Sequence, residues 1–202
     1  YSFYLNGREG MINLDAYRTD FENQVIVDIE QLGELSFYNL DGKSHAISLQ
    51  ADVMLELIDG LDVKAAYKIN KVKTNFKTEE LSPPLTPKNR AMLNIAYSNP
   101  SDKWMFDVTL NRVGESRIPK HANENGILIA GFSSPFYLVN SQITRKFNNL
   151  DIYLGSENIT NYTQENPIIS ASDPSSDIFD ASIIHSPIYG RMFYAGLRFK
   201  IN

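Results

Sequence analysis

Along most of this chain hydrophobic and polar residues alternate, the period of a strand whose two faces meet unlike surroundings. In the run Trp104 to Val113, Trp104, Phe106, Val108 and Leu110 share one face, and Met105, Asp107, Thr109 and Asn111 the other. The run before it, Asn89 to Ser98, sets Ala91, Leu93, Ile95 and Tyr97 opposite Arg90, Met92, Asn94, Ala96 and Ser98. Between them lies Asn99-Pro100-Ser101-Asp102-Lys103, a hairpin turn by composition. The same pattern predicts strands over Ser2 to Leu5, Met11 to Asp28, Leu35 to Leu57, Leu61 to Lys73, Phe136 to Lys146, Leu150 to Asn158 and Arg191 to Ile201. The fold class that follows is all-β, an antiparallel up-and-down meander of about eight or nine strands, the first cut short at Tyr1.

Short and longer connections alternate. Tight turns fall at Asn6 to Gly10, Ile58 to Gly60, Asn99 to Lys103 and Phe147 to Asn149. Between them come Ile29 to Glu34, Thr74 to Lys88, Gly114 to Pro135 and Ile159 to Gly190, the last three long and rich in Pro, Ser, Asn and Asp. A meander with this order carries all its tight turns at one end and all its long loops at the other, the asymmetry of outer-membrane barrels. Several runs have the length of about 9 to 11 residues that crosses a bilayer at a tilt. The longer Met11 to Asp28 and Leu35 to Leu57 either carry their hairpin past the outer surface or contain bulges. Tyr97 and Trp104 flank a tight turn on the apolar face, with Phe199 at the same level, where an interfacial girdle belongs.

Alternation does not say which face is inside. A soluble sandwich or ligand-binding barrel turns its apolar face inward with the same period. The polar faces, with Asp52, Asp62, Lys64, Lys68, Arg90, Asp107, Asp151, Glu157, Arg198 and Lys200, suit a water-filled lumen or a solvated surface. Composition narrows the choice from other directions. The 202 residues are 43% hydrophobic and 11% aromatic, too apolar for a disordered chain. No run approaches the roughly 18 apolar residues of a membrane helix. Nineteen basic against 24 acidic residues, the basic ones scattered, give a net charge of -5 and no nucleic-acid footprint. With no cysteine, disulfides, thiolate metal sites and cysteine nucleophiles are excluded.

Enzyme chemistry finds little to build on. No Gly-x-Ser-x-Gly elbow, His-Glu-x-x-His pair or phosphate-cradling glycine loop occurs. His45, His121 and His185 are far apart in sequence. Asp173, Asp177 and Asp180 with Glu165 form either a calcium-collecting loop or a solvated acidic one. Asn158-Ile159-Thr160 and Asn161-Tyr162-Thr163 match the N-glycosylation pattern, which Asn-rich turns produce by chance. Tyr137, Tyr153, Tyr162, Tyr189 and Tyr194 crowd the C-terminal third, suited to a ligand platform or to girdle and packing.

The last third carries a resemblance. The stretch from Asp151-Ile152-Tyr153-Leu154-Gly155-Ser156 through Glu157-Asn158-Ile159-Thr160-Asn161-Tyr162 and Asn166-Pro167-Ile168-Ile169 leads to Phe179-Asp180-Ala181-Ser182 and to Gly190-Arg191-Met192-Phe193-Tyr194-Ala195-Gly196-Leu197-Arg198-Phe199. It resembles the last hairpin of TonB-dependent outer-membrane receptors, with a Bacteroidetes flavour. Pro84-Leu85-Thr86-Pro87-Lys88-Asn89-Arg90 is similar to the family's Pro-x-x-Pro-x-x-Arg approach to a barrel strand, and Tyr17 to Gln24 to its Tyr-x-x-x-Phe-x-Asn hairpin. One departure is the tail, which runs on to Lys200-Ile201-Asn202 where many members end on an aromatic.

The resemblance implies that residues 1–202 are the C-terminal segment of a barrel of about 22 strands. The plug, the earlier strands and the segment that contacts TonB would lie upstream. It implies a location in the bacterial outer membrane, no enzymatic activity, no cofactor, and import of a scarce nutrient such as a metal chelate, vitamin or glycan bound on extracellular loops. The partners it implies are outer-membrane lipid, the TonB complex and that small-molecule, chelate or glycan ligand. Loop position makes Arg117, His121, Tyr162, Gln164, Asn166 and His185 the candidate ligand contacts. Leu93, Ile95, Tyr97, Trp104, Phe106, Val108 and Leu110 would face lipid. The competing expectations are a stand-alone soluble β-sandwich or barrel binding a carbohydrate or small apolar ligand, and an outer-membrane barrel enzyme.

Overall fold

The computed structural model describes residues 1–29, 34–40, 43–76, 80–122 and 128–201. The strands are β1 (Ser2–Leu5), β2 (Arg8–Glu22), β3 (Val25–Asp28), β4 (Ser36–Asn39), β5 (Lys43–Ile58), β6 (Leu61–Asn75) and β7 (Glu80–Leu81). They continue with β8 (Asn89–Ser98), β9 (Trp104–Val113), β10 (Arg117–Ala122), β11 (Leu128–Phe132), β12 (Phe136–Lys146), β13 (Leu150–Glu157) and β14 (Met192–Phe199). One antiparallel sheet has the order β1-β2-β5-β6-β8-β9-β12-β13-β14, with β7 appended to β6. These nine strands are the nine that alternation predicts, each paired with its neighbour in the chain's up-and-down order. β1 and β14 form the two ends of the path, so the sheet is open.

The register collects the apolar residues onto one face. Val108 stands opposite Ile95 and Ser141, Leu93 opposite Leu110 and Ala65, and Phe106 opposite Tyr97 and Ile143. The row of Leu93 continues through Val53 and Ile12, and that of Phe106 through Leu154 and Ala195. Among the described residues no second sheet covers this face. Val108 is 43% exposed and Leu197 69%, while among the described residues the buried hydrophobic ones are Ile26, Leu40, Phe76, Phe136 and Ile183, off the band or at its upper end. A sandwich buries the apolar face between two layers, so the sandwich expectation is not the arrangement adopted, and an open sheet is not a closed stand-alone barrel.

Tight turns occupy one end. Asn6 and Gly7, at φ 51° and 81°, make the left-handed pair of a two-residue hairpin. At Gly60, φ 74°, a Cβ would lie 2.2 Å from the Ser98 carbonyl oxygen, so only glycine fits. In the next turn Asn99 Oδ1 accepts hydrogen bonds from Lys103 N at 2.9 Å and Trp104 N at 3.0 Å. Lys146 then ties two turns together, donating through Nζ to both Asp102 oxygens at 2.9 and 3.0 Å. This bond, with a second from Ser98 Oγ, holds the Asp102 carboxyl below the usual carboxylate range. A depressed carboxylate stabilises the fold fully above the unfolded value of about 3.9 and loses that contribution only as pH falls through the lower folded value. In a carboxyl-carbon NMR titration of the intact protein Asp102 will therefore titrate below ordinary aspartates, and Lys146→Met will move it back up; an unchanged midpoint in that variant would contradict the pairing.

Two corrections apply to the predicted strands. Met11 to Asp28 and Leu35 to Leu57 are each broken: at Asn23 the backbone turns to φ 55°, and beyond it β3 and β4 pair as a separate two-stranded sheet. Second, Gly114 to Pro135 contains the hairpin β10–β11. Pro119 sits in β10 where the register shifts between Ile118 and His121, so the strand carries no clean alternation to read. Elsewhere boundaries move by up to a few residues, as at β2, which starts at Arg8. The tail at Asn202 lies outside the described residues, as do residues 30–33 of the first longer connection.

Candidate functional site

Two surfaces carry chemistry: the band on the sheet's apolar face and the loops at its far end. Leu93, Ile95, Tyr97, Trp104, Phe106, Val108 and Leu110 all lie on the one face. The band is closed at both ends by rings and cations. At the turn end Tyr97 and Phe106 stack with centroids 6.4 Å apart, Trp104 and Phe106 likewise, and the Arg145 guanidinium lies 4.7 Å from Trp104 and 5.5 Å from Phe147. At the loop end the row Tyr67, Ala91, Arg112 and Tyr137 closes it, with Arg112 6.0 Å from the Tyr137 ring. Past that row β2, β5 and β6 run on, at 15, 16 and 15 residues, and the face that was apolar turns charged: Arg18 pairs with Asp20, Glu22 stands opposite Lys43, and Lys73 pairs with Glu80. Two apolar-face limits about nine residues apart, with charge beyond the upper one, are the profile of a barrel wall crossing a bilayer.

The opposite face is polar and internally bonded. Asn94 Nδ2 donates to Asp107 Oδ2 at 2.9 Å and Thr109 Oγ1 at 2.8 Å, and Asn13 Nδ2 to Asp52 Oδ2 at 2.9 Å. Between β13 and β14 two tyrosines lie over two glycines. Tyr153 faces Gly196 and Tyr194 faces Gly155, each ring so close that a Cβ on the glycine would approach within 2.2 Å. Tyr194 OH donates to Gln142 at 3.0 Å. The buried Asp151 is held by Lys200 at 3.5 Å, while its Oδ1 has no partner among the described residues.

The loops at the far end rest on a small apolar cluster of Ile26, Leu40 and Phe76, with Tyr38 and Leu81 against it. Arg117 is built into this base: its Nε donates to the Ser82 carbonyl at 2.6 Å and its guanidinium lies 5.8 Å from the Phe76 ring. His121 lies in β10 opposite Ile129, and its side chain lies outside the described residues. The last loop is closed at its root by the motif that carries the resemblance. Asn158, φ 50°, accepts from Tyr162 N at 2.9 Å and donates to Tyr162 O at 2.7 Å and Tyr189 O at 3.5 Å. Asn161 Oδ1 accepts from Arg191 N at 2.9 Å. The two asparagines thus latch the start of the loop to its end.

Within the loop, Gln164 is buried and hydrogen-bonded through both its amide oxygen and its amide nitrogen. Its Oε1 accepts from His185 N at 2.8 Å and Ser186 N at 3.1 Å, and its Nε2 donates to Ile183 O at 3.2 Å. Tyr162 stacks on Phe136, centroids 5.2 Å apart and planes 4° from parallel. His185 Nδ1 lies 2.9 Å from the Ile183 carbonyl. A neutral ring donating there keeps its lone pair on Nε2. Asn166 is exposed at φ 47°. Tyr162, Gln164, Asn166 and His185 therefore share one loop, while Arg117 and His121 belong to the β10 hairpin. Sequence reasoning missed the latch of Asn158, Asn161 and the Tyr189–Arg191 backbone; the signal was the pairing of Asn-x-x-Asn with a distant Gly-Arg. Asp173 and Asp180 cap the Ser175 and Ser182 amides at 3.1 and 2.7 Å. Among the described residues no three metal-ligating side chains come together.

This chain is similar in structure to the ferric enterobactin receptor PfeA of Pseudomonas aeruginosa, with TM-score 0.71 at 18% identity over 98% of this chain and 30% of that one. It is similar to the ferripyoverdine receptor of the outer membrane of the same organism, with TM-score 0.63 at 15% identity over 97% and 25%. The copper transporter OprC gives TM-score 0.66 at 12% identity over 98% and 30%. No family model matches the chain, and no curated protein matches it by sequence. The chain spans about a quarter to a third of the length of these receptor chains. The shared fold is a segment of the barrel of TonB-dependent outer-membrane receptors.

Proposed function

We propose that this chain is the C-terminal wall segment of a TonB-dependent outer-membrane receptor, which binds a scarce nutrient on its extracellular loops and imports it. The observation that carries the reading is the single sheet with an uncovered apolar face, tight turns at one end and long loops at the other. In a bilayer such a wall satisfies every backbone amide through its ladder, and the exposed band becomes the lipid contact. The turn end is then periplasmic. The polar face, with the orphaned Asp151 oxygen, lines the lumen where a plug belongs. Import would be driven by the TonB complex acting on that plug, and the wall supplies no catalysis.

The imported ligand is a metal chelate, vitamin or glycan. The fold shared with receptors for ferric enterobactin and ferripyoverdine is support for testing iron chelates first among these. Arg117, His121, Tyr162, Gln164, Asn166 and His185 form the mouth, some as contacts and some as supports. The test is fractionation of source cells with an antibody to this segment, followed by uptake assays with iron chelates, cobalamin and oligosaccharides in a strain lacking the gene. An outer-membrane band several times larger than 22.9 kDa, with loss of one uptake activity in the deletion strain, is expected. A soluble band near 22.9 kDa would overturn the reading.

A further inference from the structure

At the turn end of the sheet a hollow of about 660 Å³ opens among residues of both faces that include Lys103, Arg145, Lys146, Phe147 and Lys200, of which Arg145 belongs to the apolar face. Its cations are not equivalent. Lys146 is spent on Asp102 and Lys200 on Asp151. Arg145 and Lys103 have no carboxylate partner among the described residues, and the Arg145 guanidinium makes no hydrogen bond there either. It is held in place by the rings of Trp104 and Phe147. A guanidinium fixed between rings with its N–H fork unused is built for an oxyanion that accepts two parallel hydrogen bonds.

Further along β12 from Arg145, on the apolar face, lies a second hollow of a different kind. It measures about 280 Å³ and is lined by Phe106, Val108, Ile143, Leu154 and Phe193 around the two serines Ser141 and Ser156. Those serines stand opposite each other in β12 and β13. Two small residues side by side in a band of large ones leave a furrow. Arg145 and Ser141 are four residues apart on one strand, on the order of 13 Å at about 3.3 Å per residue. An anion site below and a furrow of chain width above, in line, match one amphiphile.

We infer that Arg145 and Lys103 bind the phosphate of a glycerophospholipid from the inner leaflet, whose acyl chain lies in the furrow over Ser141 and Ser156. The inference rests on the membrane-spanning reading above. It assigns Arg145 a role that a generic interfacial cation lacks, since the ring clamp fixes both its position and its fork.

The test uses the intact receptor, purified from outer membranes in mild detergent, with bound phospholipid counted by native mass spectrometry. The wild-type protein should retain about one phospholipid. The double variant Arg145→Leu with Lys103→Gln should lower occupancy at least fivefold, and Ser141→Leu, which fills the furrow, should lower it with the cations intact. Arg145→Lys should restore part of the occupancy. Heat-modifiable migration on gels reports that each variant is a folded barrel. Unchanged lipid retention in the folded charge variant would overturn the proposal, as would displacement of the lipid by millimolar inorganic phosphate, which would make this a free-anion site. A receptor that fractionates outside the outer membrane would overturn the membrane reading itself, before any lipid is counted.

Discussion

Arginine in place of Val108 will lower the stability of the assembled barrel by about 2–4 kcal/mol, because that position lies in the middle of the apolar band that the proposed function turns to lipid. Val108 is flanked across the ladder by Ile95 and Ser141 and by no charged partner, so in a bilayer the guanidinium would have no counter-ion within the band. A change of that size shifts the folded-to-unfolded ratio roughly 30- to 1,000-fold. The same substitution at Asn111, three residues on and facing the other side, will cost at most about 1 kcal/mol, since lumen positions are solvated. Urea unfolding of the intact receptor in liposomes reads both values, and outer-membrane abundance will follow them. Equal, small costs at the two positions would show that both faces meet water, and the membrane reading would fall with them.

The contrast between those two positions is also the part of the fold that alternation left open. Period two marks where each strand runs because its neighbours above and below differ, and the nine strands along the path of the main sheet follow from it, the two-residue β7 beside β6 excepted. It is blind to which side is lipid. The side was legible only from the order of short and long connections and from rings such as Tyr97 and Trp104 beside a turn. What escaped were the places where the period breaks. Asn23 turns the chain out of the sheet with one left-handed residue, and Pro119 interrupts β10 where the register shifts. The loop site was legible as a location and not as a set of roles. Gln164 and His185 are 21 residues apart, and no local pattern announces that one side chain closes the turn containing the other.

That closure makes the strongest prediction for the mouth. Gln164→Ala will strip an acceptor from the His185 and Ser186 amides and a donor from the Ile183 carbonyl. Each buried group left unsatisfied costs about 1–3 kcal/mol. A loop whose closed form is disfavoured by about 3 kcal/mol is competent in roughly one molecule in a hundred, and apparent ligand affinity falls by about that factor. The intact receptor should become sensitive to limited proteolysis between residues 164 and 187, with barrel migration on gels unchanged. Gln164→Glu keeps the acceptor for both amides and loses only the bond to Ile183, so it should fall between wild type and alanine. Asn166→Gly preserves the left-handed backbone and removes only an exposed side chain. If Asn166 touches the ligand, affinity will drop roughly tenfold with no new cleavage, the pattern of a contact as opposed to a support. Wild-type affinity and protease resistance in Gln164→Ala would show that the loop's shape does not govern binding, and the mouth would have to be sought in the β10 hairpin around Arg117.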